Sequence, residues 1–447
     1  MKLSQVAEIV SADFRGKDKE FELVISTDTR TLQPGAFFIA LQGPRFDGNN
    51  FVEEARKRGA VGALVTRIIE IELPLIFVSN TIAALTQLAS YQRKQVQLPM
   101  IAITGSCGKT TIRALLASIL RQCGNVLASE RSFNNSIGVP LTLLRLRPEH
   151  NYAVVELGAS YPGEISCLTQ LVKPTIAIIS NAAPAHLEGF SNIEGVAKAK
   201  GEIFQGLLEN GVAVININDC FADFWRSLVN KRRIITFGVN HTAEIMAKNI
   251  KINAAAQPTF QLITPKGEID IQLLLIGVHN VANALAAAAA AYAEDLPLTA
   301  IKSGLETASA VKGRLAEQKG YHGAVIIDDS YNANPLSVSV AIDVLSKRKG
   351  NSILVFGDML ELGEGCHQFH REIGEYALQL GIQQLFCYGD FTKFAVEAFG
   401  KNAHHFNNQN QLLSALKGQL NENCVVLIKG SFFMSMSKIV NALLIEE

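Results

Sequence analysis

The sequence has no excess of charge of either sign, because its 447 residues include 41 lysines and arginines and 41 aspartates and glutamates. This balance gives no reason to expect nucleic acid or an acidic membrane surface as a partner. Long apolar runs are also missing, and the most apolar segment, 281–293, is mostly alanine and shorter than a membrane span. We therefore expect no membrane span, and a buried helix at 281–293.

Paired cysteines are missing as well. The seven cysteines are scattered along the chain, and no two of them form a Cys-x-x-Cys pair. This argues against a disulfide framework and a zinc ribbon, and it fits a reducing compartment. Charges interrupt the amino-terminal segment before a secretory apolar core could form. We therefore expect a cytoplasmic protein.

The length of the chain and its texture suggest several domains, since 447 residues exceed one ordinary core. Residues 1–80 carry short strand-like runs between turns, whereas from Pro99 apolar strands alternate with amphipathic helices. Such alternation is typical of a parallel sheet that is covered on both faces. A strand-rich insert follows, and a second alternating set begins after residue 312. We predict an α/β protein with domains at 1–80, 81–312 and 313–447.

A glycine-rich turn joins an apolar strand to a helix in the segment MIAITGSCGKTT. Gly105 and Gly108 let successive N–H groups face one anion, and Lys109 adds a positive charge at the helix N-terminus. The hydroxyl of Thr110 or Thr111 can ligate Mg²⁺. The strand–turn–helix context favours a phosphate loop over a plain glycine turn with an exposed lysine. The predicted loop consists of Gly105, Ser106, Cys107, Gly108, Lys109, Thr110 and Thr111.

Three further positions could carry chemistry, and each has a plainer alternative. Glu156 ends the strand YAVVELG, where open α/β sheets place ligands and where a carboxylate suits Mg²⁺, although it could be a solvated strand end. His186 follows the strand TIAIISN in a loop, where a histidine could equally be structural. Lys198 and Lys200 share a predicted helix, Ile193–Leu208, and two solvated lysines are the default there.

The phosphate loop and a series of motifs resemble the Mur ligase family. The motifs are STDTR (26–30), LQGPRFDG (41–48), FNNSIGVPLTLL (133–144), VVELGAS (154–160), NAAPAHLEGF (181–190), AKAKGEIF (197–204), GVHNVANALAA (277–287), DDSYNANP (328–335), FGDMLELG (356–363) and IKGS (428–431). They occur in order, so the resemblance covers the whole chain. Within the family, SYNANP and APAHLEGF imply UDP-N-acetylmuramoyl-tripeptide and D-alanyl-D-alanine as partners.

The resemblance implies a monomer with a small UDP-sugar-binding domain, a central ATPase and a Rossmann-like carboxyl-terminal domain. It also implies ATP- and Mg²⁺-dependent formation of an acyl phosphate, which an amine then attacks. Catalysis of this kind depends on holding and neutralising anionic oxygens. A ligase for another amine, a P-loop kinase or nucleotide switch, and a nucleotide-binding scaffold are the alternatives.

The resemblance assigns roles to individual residues. The implied catalytic residues are Lys109, Glu156, His186 and Lys200, and the implied Mg²⁺ ligands are Thr110, Glu156, His186 and a carbamylated Lys200. Besides the loop, the implied ATP contacts are Asn134, Asn280, Asn283, Arg314 and Asp329. The implied substrate contacts are Ser26, Thr29, Arg30, Arg45, Phe46, Asp47, Asn135, Tyr331, Asn332 and Asn334. Turns and, for Asn280, a helix cap are alternative roles for the asparagines.

Two details depend on the register of family motifs. The family's carbamylated lysine precedes x-x-Ile/Leu-Phe/Tyr, and Lys200-Gly-Glu-Ile-Phe204 fits that register better than Lys198 does. The carboxyl-terminal motif departs from the family, with Phe432 where relatives usually have arginine and Ser435 where a second basic residue is common. We expect the acceptor site to differ in these contacts.

Overall fold

The computed structural model describes residues 1–43, 46–130, 133–239 and 241–444. Within these residues, three large sheets with flanking helices follow one another along the chain, which confirms the predicted α/β class. None of the helices in the described part of the chain combines the length and apolarity that crossing a bilayer requires.

The first sheet lies near the amino terminus and has the order β1-β7-β6-β3-β2, parallel except for the edge pair β1–β7. A separate two-stranded pair, β4–β5, is antiparallel. The strands are β1 Asp13–Arg15, β2 Ile25–Ser26, β3 Phe37–Ile39, β4 Gln42–Gly43, β5 Phe46–Asp47, β6 Gly62–Val65 and β7 Leu75–Phe77. The helices are α1 Leu3–Ile9, α2 Val52–Lys57 and α3 Thr81–Lys94.

The central sheet has the order β16-β15-β14-β13-β12-β11-β8-β10-β9. Its strands are β8 Met100–Thr104, β9 Val126–Ala128, β10 Tyr152–Glu156, β11 Ile176–Ile179, β12 Val212–Asn216, β13 Arg233–Gly238, β14 Ile245–Ile252, β15 Pro258–Thr264 and β16 Gly267–Gln272. The strands from β9 to β14 run parallel, and β15 and β16 add an antiparallel edge. The segment predicted as a strand-rich insert therefore extends the central sheet.

Helices cover both faces of the central sheet. They are α4 Lys109–Leu120, α5 Gly138–Leu143, α6 Glu164–Val172, α7 Leu187–Phe190, α8 Ile193–Gly201, α9 Ala222–Leu228, α10 His279–Ala293 and α11 Leu298–Thr307. The helix predicted at Ile193–Leu208 ends earlier, at Gly201, and a 3₁₀ turn follows at Glu202–Gln205.

The carboxyl-terminal sheet has the order β17-β18-β22-β19-β20-β21 and is parallel except for β17. Its strands are β17 Ala316–Lys319, β18 Val325–Asp329, β19 Asn351–Gly357, β20 Gln384–Tyr388, β21 Ala403–Phe406 and β22 Cys424–Lys429. Its helices are α12 Pro335–Ser346, α13 Cys366–Gln379, α14 Thr392–Phe399, α15 Gln409–Lys417 and α16 Ser437–Leu443. This is the doubly wound unit that the alternating pattern predicts.

The apolar core is continuous between the first two sheets. One cluster runs from Leu3 in α1 through Leu85 in α3 to Leu143 in α5 and Ile165 in α6. Helix α3 contacts α1, α5 and α6, so it packs the amino-terminal unit against one face of the central sheet. Burying this shared surface fixes the position of the first unit relative to the phosphate loop.

Helix α10 packs on the other face of the central sheet, and its run from Ala284 to Ala291 is buried on all sides. It contacts α4 and strands β11 to β15. Alanine suits this position because a small side chain lets a helix approach its neighbours closely while costing little side-chain entropy. The helix predicted from the apolar run is confirmed, and it lies directly beside α4.

We expect Ala288→Leu to lower the free energy of unfolding by about 1–3 kcal/mol, because extra methylene groups have no room in a close-packed core. Ala288 is fully buried. The urea midpoint, followed by circular dichroism, measures the change, and Ala293→Leu on the half-buried last turn is the matched control. Equal midpoints for wild type and Ala288→Leu would contradict this view of the packing.

Candidate active site

The phosphate loop and polar residues of the central and carboxyl-terminal units line one cavity of about 760 Å³. Of the predicted residues, those on this cavity are Gly105, Ser106, Cys107, Gly108, Lys109, Thr110, Thr111, Asn134, Asn135, Glu156, His186, Lys200, Asn280, Asn283, Arg314, Asp329, Tyr331, Asn332 and Asn334. Positions more than 200 residues apart in the sequence are thus brought together at the carboxyl ends of two parallel sheets, where open α/β folds bind ligands.

The backbone of the phosphate loop requires glycine at two points. Gly105 has φ 145° and Gly108 has φ 84°, both outside the range that other residues adopt easily. A side chain at Gly105 would collide with Ser180, and one at Gly108 would collide with Asn283. The loop then opens helix α4 at Lys109, whose Nζ donates to the Gly105 carbonyl at 2.5 Å.

The segment after β11 holds the loop by hydrogen bonds. The Cys107 N–H donates to Asn181 Oδ1 at 2.9 Å, and the Cys107 carbonyl accepts from Ser180 Oγ at 2.6 Å and from Asn181 Nδ2 at 3.2 Å. Ser106 Oγ donates to the Ala183 carbonyl at 3.0 Å. Asn181 lies in the motif that also contains His186, and its amide fixes the conformation of the loop.

Glu156 lies at the end of β10 and is almost fully buried. Its carboxylate accepts from Thr110 Oγ1 at 3.0 Å and from Asn134 Nδ2 at 2.9 Å. It is therefore not the solvated strand end that was the alternative interpretation. Burial lowers the pKa of Lys109, and the Glu156 carboxylate opposes that shift. The residues predicted for metal and phosphate thus form one connected group.

Lys200 is buried on α8, whereas Lys198 is exposed. The Lys200 ammonium lies 5.5 Å from the centre of the Phe190 ring. Burial, with a smaller contribution from the positive charge of Lys109, lowers the pKa of Lys200 to about 7. A substantial fraction of this side chain is therefore a neutral amine near neutral pH.

His186 meets a residue that the sequence analysis did not identify. Its Nδ1 lies 2.5 Å from Oε2 of Glu361, which belongs to the loop after β19 in the carboxyl-terminal unit. Burial lowers the pKa of His186, and the Glu361 carboxylate opposes that shift. The signal that could have found Glu361 is its place in FGDMLELG just after a strand, the criterion that selected Glu156.

The carboxyl-terminal unit contributes two cations to the cavity. The Arg314 guanidinium stacks over the Tyr331 ring, 4.2 Å from its centroid. Lys429, which the sequence analysis did not select, is buried and donates to Asp329 Oδ2 at 2.5 Å and to the Asn332 carbonyl at 2.9 Å. Burial raises the pKa of Asp329 despite the opposing charge of Lys429.

The asparagines differ in their local roles. Asn280 lies inside α10, where its amide donates to the Ile276 carbonyl and accepts from Asn283, so it is not the helix cap that was its alternative role. Asn334 does cap α12, and its side chain also contacts Cys107 Sγ across the cavity. Asn135 Oδ1 accepts from the Gly138 N–H at 2.9 Å at the start of α5. Each asparagine is therefore fixed by the fold and also reaches the cavity.

Those residues predicted for a nucleotide sugar that the structure describes are not among the residues that line this cavity. Arg30 is exposed and pairs with Asp28 at 2.6 Å, Thr29 is buried, and Ser26 Oγ donates to the Asp28 carbonyl. Phe46 is exposed, and Asp47 accepts from the N–H of Asn49 at 2.9 Å. Arg45 lies outside the described residues. The structure does not bring these residues together with the phosphate loop.

The donor atoms at the loop fit a magnesium–nucleotide complex. Among residues 1–43, 46–130, 133–239 and 241–444, no cluster of three or more His, Cys, Asp and Glu side chains could hold a metal by itself. The Thr110 hydroxyl and the Glu156 carboxylate are hard oxygen donors 3.0 Å apart. Mg²⁺ typically takes one or two carboxylates and completes its shell with waters and phosphate oxygens.

Comparisons with known proteins match three family models along the chain. They are described as "Mur ligase family, catalytic domain" at residues 24–108, "Mur ligase middle domain" at 103–291 and "Mur ligase, glutamate ligase domain" at 313–432. The UDP-N-acetylmuramoyl-tripeptide–D-alanyl-D-alanine ligase of Escherichia coli is 42% identical over 444 residues, which is 99% of this chain and 98% of that protein.

Solved structures agree with these matches. A crystal structure of MurF from Acinetobacter baumannii superposes with a TM-score of 0.90 at 35% identity, covering 98% of this chain and 97% of that one. MurF ligase from Thermotoga maritima, solved in complex with ADP, has a TM-score of 0.81 over 95% of this chain and 98% of its own. At 24% identity, that second likeness concerns the fold alone.

We expect the stability of the protein to fall as the pH decreases below about 6.5, in part through His370. His370 is fully buried beneath the Glu361 loop, and burial lowers its pKa despite Asp358 at 4.0 Å. The unfolded chain takes up a proton near pH 6.5, whereas the folded protein does so only at lower pH. The contribution of neutral His370 to the free energy of unfolding is therefore complete above pH 6.5. It is lost as the pH falls from 6.5 through the lower pKa of the folded protein.

Urea midpoints measured from pH 8 to pH 5 test this dependence. His370→Gln should flatten the decrease, whereas His367→Gln, at an exposed position of the same helix, should leave it unchanged. The same slope in wild type and His370→Gln would show that another group carries the dependence.

Proposed function

The chain belongs to the Mur ligase family, and from this premise we propose that it joins D-alanyl-D-alanine to UDP-N-acetylmuramoyl-tripeptide with conversion of ATP to ADP and phosphate. The observation that carries the proposal is the 42% identity with the E. coli ligase of that name over nearly the full length of both chains. The cavity supports it, because a phosphate loop and residues of a second unit face the same space.

The proposed reaction has two steps. The terminal phosphoryl group of ATP is transferred to the carboxylate of the tripeptide, which forms an acyl phosphate and releases ADP. The amine of the dipeptide then attacks the acyl carbon, loses a proton and displaces phosphate. The backbone N–H groups of the loop, with Lys109 and Arg314, neutralise the anionic oxygens in both steps.

We propose that Thr110, Glu156, His186 and Lys200 would hold Mg²⁺. A bound Mg²⁺ would supply positive charge to the phosphate oxygens as the phosphoryl group moves. The hydrogen bonds of Glu156 to Thr110 and Asn134 already aim its carboxylate at the loop. Lys109, whose Nζ donates to the Gly105 carbonyl, adds a positive charge within the loop.

We propose that Lys200 is carbamylated. Burial lowers the pKa of Lys200 to about 7, so the neutral amine is available to attack CO₂, forming a carbamate and releasing a proton. The reaction replaces a cation with an anionic oxygen donor, which is a metal ligand that lysine itself cannot provide. Lys200 lines the same cavity as Glu156 and His186, which supports a shared ion.

The remaining residues are proposed in three groups. ATP would contact Asn134, Asn280, Asn283, Arg314 and Asp329, and the peptide would contact Asn135, Tyr331, Asn332 and Asn334. The nucleotide sugar would bind the amino-terminal unit at Ser26, Thr29, Arg30, Arg45, Phe46 and Asp47. The proposed domains are 1–80, 81–312 and 313–447. We propose that the protein is a monomer, and its scattered free cysteines support the reducing cytoplasm as its location.

Mass spectrometry of the product tests the reaction. With ATP, Mg²⁺, UDP-N-acetylmuramoyl-tripeptide and D-alanyl-D-alanine, we expect a product heavier by one dipeptide less one water, formed together with phosphate. D-Alanine alone, L-alanyl-L-alanine and D-glutamate are the control amines. Phosphate release without any amide product would favour a kinase or nucleotide switch, and an amide formed only with another amine would overturn the substrate assignment.

Carbamylation is tested with a matched pair of lysine variants. We expect Lys200→Ala to lose at least about 100-fold in kcat, the size of effect seen when one charge-stabilising group is removed, and Lys198→Ala to stay near wild type. After equilibration with ¹³C-bicarbonate, a ¹³C carbamate resonance should appear in wild type and Lys198→Ala but not in Lys200→Ala. Full activity of Lys200→Ala without added bicarbonate would refute the role.

A further inference from the structure

We propose that Glu361 is a positioning residue for His186, and that through it Mg²⁺ binding is coupled to docking of the carboxyl-terminal unit. The inference rests on the proposed function in one respect, namely that His186 is a Mg²⁺ ligand. His186 belongs to the loop after β11 of the central sheet, whereas Glu361 belongs to the loop after β19 of the carboxyl-terminal sheet. The contact therefore joins two units at the wall of the shared cavity.

The geometry of the contact is specific. Nδ1 of His186 lies 2.5 Å from Oε2 of Glu361, and Ser160 Oγ lies 3.5 Å from the same nitrogen. A backbone hydrogen bond runs beside it, from the Glu188 N–H to the Glu361 carbonyl at 3.4 Å. Both residues of the pair have a left-handed backbone, with φ 53° at His186 and φ 64° at Glu361. Such conformations cost energy in residues other than glycine, so the surrounding contacts must hold them.

The carboxyl-terminal unit holds the Glu361 loop from two directions. The Leu360 N–H donates to Ser431 Oγ at 2.8 Å, and the Met359 N–H donates to Nε2 of the buried His370 at 2.9 Å. The Asp358 carbonyl accepts from the Ser431 N–H at 3.0 Å. These hydrogen bonds anchor the residues before Glu361 in the carboxyl-terminal unit. The position of the Glu361 carboxylate beside His186 therefore depends on where the carboxyl-terminal unit lies relative to the central unit.

The contact leaves one ring nitrogen of His186 available. When Nδ1–H donates to a carboxylate, the proton is fixed on Nδ1 and the lone pair on Nε2 can bind a metal. Among the described residues, none forms a hydrogen bond with Nε2 of His186. A carboxylate that accepts from the other ring nitrogen orients a ligating histidine, and removal of such a carboxylate typically weakens metal affinity by about 10–100-fold.

Metal binding and docking of the carboxyl-terminal unit are coupled because His186 and Glu361 belong to different units. If docking of the carboxyl-terminal unit positions His186, then a metal on His186 must favour the docked arrangement by the same free energy. The two side chains are partly exposed, 31% for His186 and 43% for Glu361, so the pair by itself contributes little to stability. If the contact of Glu361 with His186 served only to stabilise the fold, its removal would leave the affinity for the metal nearly unchanged.

Manganese binding tests the inference independently of turnover. Mn²⁺ is titrated into the full chain with saturating ADP, and free Mn²⁺ is followed by electron paramagnetic resonance. We expect Glu361→Ala to raise the Kd for Mn²⁺ by about 10–100-fold. Glu361→Gln should raise it less, because its amide oxygen can still accept from Nδ1–H. Glu364→Ala, at an exposed position of the same loop, should match wild type.

A kinetic measurement separates positioning from general damage. In Glu361→Ala the KM for Mg²⁺ should rise with little change of kcat at saturating Mg²⁺, and ADP affinity in the presence of EDTA should be unchanged. A Kd for Mn²⁺ within twofold of wild type in both Glu361 variants would overturn the inference. If product forms normally and that Kd is unchanged, only the inference fails. If Glu361→Ala weakens Mn²⁺ binding but wild type forms no dipeptide product, only the proposed reaction fails.

Discussion

The arrangement of the whole site depends on the close approach between the phosphate loop and the segment that follows β11. Gly105 and Gly108 have no side chains there, and Ser180, Asn181 and Asn283 occupy the space that side chains would need. The hydrogen bonds of Cys107 to this segment fix the direction of the loop N–H groups before any anion arrives. Preorganised donors of this kind need little rearrangement when negative charge develops, which is the main source of electrostatic catalysis.

The close packing of the phosphate loop against its neighbours also determines the electrostatics of the cavity. Lys109 and Lys200 lie near one another with little solvent, and burial lowers the pKa of both. The Glu156 carboxylate partly compensates Lys109, while Lys200 lies over the Phe190 ring, and Glu202 and Glu164 oppose the lowering of its pKa. Such a site is unfavourable for two ammonium groups and favourable for a polyphosphate, and conversion of one amine to a carbamate would relieve the remaining repulsion.

Much of this could be predicted from the sequence because the signals are local. Apolar strands alternating with helices indicated the parallel sheets, and a glycine-rich turn between strand and helix indicated the loop. Burial was harder to predict, since Lys198 and Lys200 share a helix and only a family motif distinguished them before the structure showed which one is buried. The place of Glu361 after a strand could mark it as a site residue, but no local pattern indicates which residue it contacts, and the same holds for Lys429 with Asp329. Close packing also has no local signal, since a side chain at Gly201, the last residue of α8, would collide with Leu228.

The cavity is divided between two units, and under the proposed function both contribute to the chemistry. The central unit supplies the loop and the Glu156 carboxylate, whereas the other unit supplies Arg314 and places Lys429 beside Asp329. The central cations alone would bind a triphosphate tightly in its ground state, and uniform binding of that kind does not speed transfer. Charges that arrive with the second unit act when that unit is docked, so they can favour the transition state over the bound nucleotide. Phosphoryl transfer would then depend on the arrangement in which the acceptor carboxylate is also enclosed, and water would be a poor competitor for the phosphoryl group.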